Sequence, residues 1–139
     1  MQLDVTDLIP HRPPMVLVES LIEMDEDRGI ARCMCVLPAG SPVAAAGRFP
    51  RMLVIEMLAQ TAACLKGYIE LKHGLPIRPA YLVRIDDLEI VRIPEQGERI
   101  EVEARQERSL GGYFVYEAHC TACGDRIAGG TLRFVVEGG

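Results

Sequence analysis

The sequence predicts an α+β fold in which a curved antiparallel sheet wraps around one long buried helix. Residues 51–73 are rich in Met, Leu and Ala and exceed the usual length of a strand, which favours a helix. From Met52 to Leu65 this segment is apolar on nearly every side, as in a helix buried in a core. Short turns separate the strand-like segments that follow. We expect residues 1–139 to form a single domain of ordinary size.

The elements before the helix begin with a short helical turn at residues 4–9. The Pro-His-Arg-Pro-Pro stretch closes this turn, because its prolines impose a rigid, extended exit. Two strands joined by a polar turn follow at residues 15–24 and 29–38. Residues 39–47 form a loop of small residues that leads into the helix.

Gly74 and Pro76 end the helix. Lys66, Glu70 and Lys72 give its last turns a solvated face. The remaining chain is assigned to four strands, at residues 80–93, 98–109, 113–122 and 126–137. A sheet that covers one helix leaves part of that helix open, so a second copy packed alongside is expected and the protein is predicted to be a dimer.

Charge and composition exclude several classes of partner. The net charge is −5 and the chain has no Trp, which argues against nucleic acid as the main partner. No uninterrupted apolar run has the length of a membrane span, and no secretion signal is recognised. A cytoplasmic location is therefore expected.

The five cysteines allow two interpretations. Cys33, Cys35, Cys120 and Cys123 form two pairs that could supply a tetrahedral zinc site, or they are small strand residues kept reduced. Positions 120 and 123 have opposite parity, so on an unbroken strand their side chains point to opposite faces. This favours the second interpretation, and we expect no metal, no disulfide and no cofactor.

An ionisable group interrupts the apolar stretch GRFPRMLVIEMLAQ, which spans residues 47–60. Glu56 lies in the middle of the run, and Gln60 follows one helical turn later on the same face. Burying a charge is costly unless it is paired. Glu56 is therefore either a structural carboxylate that accepts from neighbouring donors or a proton-transfer group. The second alternative has a physical basis, because desolvation favours the protonated form of a carboxyl group, which can donate its proton.

The combination of IPHRPPMVLVE at residues 9–19, GRFP and IEMLAQTAA at residues 55–63 resembles the 3-hydroxyacyl-acyl-carrier-protein dehydratases. The resemblance implies a hot-dog fold, with protomers that pair edge to edge. It also implies that Glu56 is the catalytic acid and that Gln60 lies beside the substrate. The likeness covers most of the chain.

The chain departs from this family at one catalytic position. Arg48 stands where the family carries a His, and the lead into the helix is shorter. In this respect the sequence is similar to the aryl-polyene-type branch. Because a guanidinium stays protonated in proteins, Arg48 cannot act as a base. We assign Arg48 and Gly47 to substrate binding instead.

The chain has three histidines that are candidates for the second acid/base group. His11 is held between prolines and is the most rigidly placed, so we predict that it forms a catalytic pair with Glu56. His73 is explained by its place at the end of the helix, and His119 by its place on a strand.

Three functions stay open from the residues. The preferred one is a dehydratase acting on acyl thioesters of acyl carrier protein. The second is an acyl thioesterase in which Glu56 activates water or attacks the thioester. The third is a non-catalytic subunit that pairs with a complete dehydratase. The expected partners are acyl carrier protein, attracted by Arg48, Arg51 and Lys66, and either a second copy or a related hot-dog protein.

Overall fold

The computed structural model describes residues 3–11, 16–36, 51–95 and 97–136. A 3₁₀ turn at Val5–Asp7 precedes one helix and six strands. These are β1 (Val18–Asp25), β2 (Ile30–Cys35), α1 (Arg51–Lys72), β3 (Ala80–Ile90), β4 (Ile100–Leu110), β5 (Tyr113–Ala122) and β6 (Asp125–Val136). The predicted α+β order is confirmed, with boundaries that differ by a few residues. The loop predicted at residues 39–47 lies outside the described residues.

The six strands form one sheet in the order β1-β2-β4-β5-β6-β3, and every neighbouring pair is antiparallel. The inner face of this sheet packs on α1, which contacts β4 and β2 most extensively. The strand β3 lies at one edge, paired only with β6. An edge strand of this length offers a row of backbone groups to another chain.

Alternation along β4 fixes which side of the sheet faces the helix. Ile100, Val102 and Ala104 are buried, while Glu101 and Glu103 lie on the opposite, wetter face. Successive strand residues point to opposite faces, so the alternation of apolar and charged residues along β4 matches the two faces of the sheet. The buried set packs against α1 and forms one core.

The helix α1 is mostly buried, as predicted, but two expectations about its surface are wrong. Met52 is 71% exposed, although Leu53 and Val54 in the same turn are buried. Lys66 and Glu70 are buried rather than solvated, since they pair with each other and the segment after α1 covers them. In length and composition α1 could cross a membrane, yet most of it is packed inside the fold, as in a core helix.

The segment that contains the 3₁₀ turn packs closely across α1 at Gly67. A Cβ atom placed on Gly67 would overlap the carbonyl of Leu8. Leu8 and Ile9 are buried at this crossing, and His11 follows two residues later. The missing side chain of Gly67 therefore sets how near this segment, with His11, approaches the helix.

The cysteines fit the interpretation that they are small, reduced strand residues. Cys33, Cys35, Cys64 and Cys120 are buried in the core as free thiols, and Cys123 is exposed. Burial raises the pKa of Cys35 well above its usual range and that of Cys120 to about 12, so both thiols stay protonated. Cys123 adopts a positive φ in the turn after β5, and it is exposed whereas Cys120 is buried.

Candidate active site

A cavity of about 130 Å³ runs along one side of α1. Its helical wall consists of Glu56, three alanines and Lys66. The other walls come from the N-terminal segment, the region between α1 and β3, and the sheet, represented by Leu8, Pro10, His11, Ile77, Arg78, Ala80, Leu82, Tyr116 and Phe134. Small alanine side chains at positions 59, 62 and 63 leave an apolar groove between two polar ends.

Glu56 lies at an accessible part of the cavity wall. Its side chain keeps 35% of its exposure, so the full desolvation expected from the apolar sequence around it is wrong. Glu56 lines the cavity together with the small Ala59, one turn further along the helix. An accessible carboxylate at the wall of an apolar groove can meet a substrate and exchange a proton with it.

Gln60 holds the Glu56 carboxylate in place. Its side-chain amide donates from Nε2 to Glu56 Oε2 at 3.3 Å. Its Oε1 accepts from the Leu17 backbone N–H at 2.8 Å, and this contact determines which way the amide faces. Gln60 is fully buried and supports the carboxylate from behind, the orienting position expected one turn after Glu56. Its assignment as a substrate-binding residue stays a prediction.

His11 and Glu56 meet at the same end of the cavity. The distance between His11 Nε2 and Glu56 Oε2 is 3.9 Å, and the His11 side chain is 33% exposed. This separation is too long for a direct hydrogen bond, and both side chains line the same cavity, where one bound molecule can contact both. The two residues predicted to be catalytic are thus neighbours.

The inner end of the cavity holds a buried ion pair. Lys66 Nζ donates to Glu70 Oε1 at 2.8 Å and to the Arg78 carbonyl at 2.6 Å. The side chains of Lys66 and Glu70 are only 6% and 11% exposed. Lys66 therefore cannot attract a carrier protein from solution, and its assignment to that role is wrong.

Tyr116 completes this inner end from the sheet. Its ring packs edge-on against Phe134 and stacks with Phe114, and the whole residue is 1% exposed. Its hydroxyl is buried and has no hydrogen-bond partner among the described residues. Burial, and then the nearby Glu70 carboxylate, raise the pKa of Tyr116, so the phenol remains protonated at neutral pH.

Two of the predicted site residues, Gly47 and Arg48, lie outside the described residues. Within residues 3–11, 16–36, 51–95 and 97–136, no group of three or more His, Cys, Asp or Glu side chains is arranged to hold a metal ion. Sequence reasoning missed Tyr116 and misassigned Lys66. The spacing of Glu56, the alanines and Lys66 along one helical face was the available signal for the groove.

The chain is similar to known dehydratases. The family model of the ApeP-like proteins, described as ApeP dehydratase, matches residues 3–137. The 3-hydroxyacyl-[acyl-carrier-protein] dehydratase FabZ of Agrobacterium fabrum is 30% identical over 129 residues, covering 86% of this chain and 77% of the relative. FabZ of Burkholderia cenocepacia is 27% identical over 139 residues, covering 96% and 88% of the two chains.

Among solved structures, the dehydratase heterocomplex ApeI:P from Xenorhabdus doucetiae superposes with a TM-score of 0.87. The sequence identity is 19%, and the match covers 98% of this chain and 92% of the other. At this identity the likeness establishes the hot-dog fold and no more. The fold predicted by the sequence resemblance is confirmed.

Proposed function

This chain belongs to the ApeP-like dehydratase family, and from that premise we propose that it removes water from 3-hydroxyacyl groups carried on acyl carrier protein. One observation carries the proposal: His11 Nε2 and Glu56 Oε2 lie 3.9 Å apart beside an apolar groove. Dehydration needs a base for the α-proton and an acid for the departing hydroxyl. Two neighbouring groups that can each hold a proton supply both.

In the proposed reaction, His11 accepts the proton from the α-carbon of the thioester. The electron pair of that C–H bond becomes the new double bond, and the bond between the β-carbon and its oxygen breaks. Glu56, entering the step as a carboxylic acid, gives its proton to the leaving oxygen, and water departs. An imidazolium beside a carboxylate remains, and transfer of one proton across the pair restores the starting state.

Gln60 contributes by positioning. Its amide is turned by the Leu17 N–H so that Nε2 faces Glu56 and fixes one carboxylate oxygen. The other oxygen is left for the substrate hydroxyl. Gly47 and Arg48 remain predicted contacts of the thioester or its carrier arm, from the segment that leads into α1.

The alternative functions are less well supported. A thioesterase needs Glu56 alone, so it gives no reason for the approach of His11. A non-catalytic subunit gives no reason for either group to face a groove. The family membership and the curated relatives favour the dehydratase over both.

The proposed assembly is a pair of hot-dog protomers joined along β3. This edge strand and the residue after it expose Tyr81, Val83, Leu88 and Val91, which are apolar and lie close together in sequence. Exposed apolar side chains on an unpaired edge favour association with another sheet. A second copy of this chain or a related hot-dog protein would pair with the same edge strand.

The proposed carrier protein is acidic and is attracted by basic side chains near the cavity. Arg51 is exposed, and Arg78 is exposed while it also lines the cavity. Exposed charges act mainly on the rate of encounter, and salt screens them. The interaction is expected to weaken as salt is raised, and the cytoplasm remains the predicted place for it.

The proposed function is tested by incubating the purified protein with 3-hydroxyacyl and saturated acyl thioesters of acyl carrier protein. Loss of water from the hydroxyacyl group, detected by mass spectrometry of the carrier protein, supports the dehydratase. Release of free carrier thiol from both substrates would indicate a thioesterase. If neither product forms, the assay is repeated with a second hot-dog protein added. Product only in the mixture would identify a subunit that depends on its partner.

A further inference from the structure

The inner end of the cavity contains hydrogen-bonding groups that the proposed dehydration does not use. Lys66 and Tyr116 line the same cavity as Glu56, from the helix and from the sheet. Glu56 and Lys66 are ten positions apart on α1, so these ends are separated by about 15 Å along the helix axis. Groups that far from Glu56 contact the end of an acyl chain, not its reacting carbons.

The route between the two ends is suited to a linear chain. Ala59, Ala62 and Ala63 form its helical wall, and Leu82 and Phe134 contribute from the sheet. Exposure decreases along it, from about one third at His11 and Glu56 to 6% at Lys66 and 1% at Tyr116. An apolar passage that closes inward receives the hydrocarbon part of a substrate with its thioester at the accessible end.

A purely apolar acyl chain would make no hydrogen bonds with the polar groups at the inner end. The Tyr116 hydroxyl is buried without a partner among the described residues, and a buried polar group in that condition destabilises the fold. Lys66 adds a buried ammonium group that donates to Glu70 Oε1 and the Arg78 carbonyl. An ammonium has three donors, so one remains for a ligand in the cavity.

We propose that the inner end of the cavity recognises an acyl chain that carries an oxygen at its far end, with Tyr116 and Lys66 as hydrogen-bonding partners. This rests on the proposed function, since it assigns the acyl chain to this cavity. The matching chemistry is a hydroxyl or carbonyl oxygen, which accepts from both residues. A terminal methyl group of the same chain makes no hydrogen bond with the Tyr116 hydroxyl or with the third donor of Lys66, and a site built for an oxygen discriminates against such a ligand.

Binding is measured with two acyl-pantetheine thioethers of equal length, one ending in methyl and the other in a primary hydroxyl. Thioethers are neither dehydrated nor hydrolysed, so calorimetry reports binding whether or not the protein is a dehydratase. The full-length wild-type protein is expected to bind the hydroxyl-terminated ligand more tightly. The preference should be roughly two- to tenfold for each hydrogen bond formed.

Tyr116→Phe is expected to reduce the preference for the hydroxyl-terminated ligand several-fold. It should bind the methyl-terminated ligand at least as well as the wild type does. The variant keeps the ring that packs on Phe134, and it loses an unsatisfied hydroxyl, so its thermal stability should be unchanged or higher. Tyr68→Phe, on the other side of α1, is the matched control and should keep the wild-type preference.

Equal binding of the two ligands by the wild-type protein would overturn the inference, because a buried water would then be satisfying Tyr116. The same conclusion follows if neither ligand binds, or if Tyr116→Phe keeps the full preference. Each of these results leaves the dehydratase proposal to be decided by its turnover assay. Absence of turnover, conversely, leaves the ligand preference measurable.

Discussion

Two carboxylates on the cavity side of α1 differ in what surrounds them. Glu56 pairs with the neutral amide of Gln60, faces His11 and keeps 35% of its exposure. Glu70 pairs with the ammonium of Lys66 at 2.8 Å and is 11% exposed. Each pair has the same spacing of four residues on one helix. The spacing therefore does not decide the role of a carboxylate; the charge of its partner and its access to the cavity do.

Glu70 is bonded to a full counter-charge in a dry environment, so removing its carboxylate would leave Lys66 as a buried charge without its partner. A neutral amide leaves Glu56 able to take up and release a proton, and His11 supplies a second site for that proton. We therefore expect substitutions at Glu56 to affect turnover, and substitutions at Glu70 to affect folding.

The largest expected effect is that of Glu56→Gln on turnover. Glutamine keeps the shape and most hydrogen bonds of the side chain but cannot transfer the proton, so the rate should fall about a hundredfold or more. Stability should be unchanged or higher, since an ionisable group has been removed from an apolar wall. Steady-state kinetics and thermal unfolding of the same preparation check both parts.

His11→Ala separates the possible origins of the second proton-transfer group. If the pair is self-contained, His11→Ala also loses activity while it remains folded. Loss at Glu56 alone would favour a route through water or a thioesterase. Full activity of Glu56→Gln would contradict the catalytic assignment and leave Glu56 as a structural residue.

The second prediction concerns the buried pair. Glu70→Gln should destabilise the protein by about 3 kcal/mol, because Lys66 then becomes a buried charge without a counter-charge. Denaturant unfolding gives the free energy of unfolding. The rate per folded molecule should stay close to that of the wild type.

The double variant Lys66→Met with Glu70→Leu is the control for that prediction. Replacing both charges by apolar side chains removes the stranded ion, so most of the lost stability should return. If Glu70→Gln unfolded no more easily than the wild type, the pair would contribute nothing to stability. The comparison with Glu56 would then lose its basis.

Gln60→Leu tests the support of Glu56. It leaves the Leu17 N–H without its partner, which should cost about 1–3 kcal/mol of stability. It also frees the carboxylate, and misplacement of a catalytic group lowers the rate by roughly ten- to a hundredfold. Thr61→Val is the control at the neighbouring position, where Thr61 donates to the Met57 carbonyl; its turnover should be unchanged.

Gly67→Ala tests whether the close crossing of the N-terminal segment holds His11 in place. Alanine normally stabilises a helix relative to glycine, by about 1 kcal/mol. Here the added methyl meets the Leu8 carbonyl, so we expect a loss of about 1–3 kcal/mol and a reduced rate. A variant more stable than the wild type would show that the segment moves aside without consequence.

The smallest expected effect comes from exposed pairs. The hydrogen bond from His73 lowers the pKa of Glu26 below 4.5, and Lys72 adds to this. A lowered folded-state pKa gives stability that is present above pH 4.5 and is lost as the pH falls through the folded value. The difference in Tm between the wild type and Glu26→Gln should therefore be small at neutral pH and disappear in acid. A Tm difference that grew as the pH fell would contradict this prediction.

The sequence by itself determined the elements and much of their orientation. The composition of residues 51–73 identified α1, and strand-like segments bounded by short turns identified the strands, because both patterns are set within one element. The same helical spacing placed Gln60 beside Glu56. The dehydratase resemblance added the assignment of Glu56 as the acid.

Only the tertiary structure decided which groups meet across elements. The approach of His11 to Glu56, and the turning of Gln60 by Leu17, join positions far apart in the sequence. Lys66 was predicted to be solvated, because its own helix gives no sign that Arg78 and the sheet cover it. Periodicity reports the faces of one element, whereas burial depends on what packs against them.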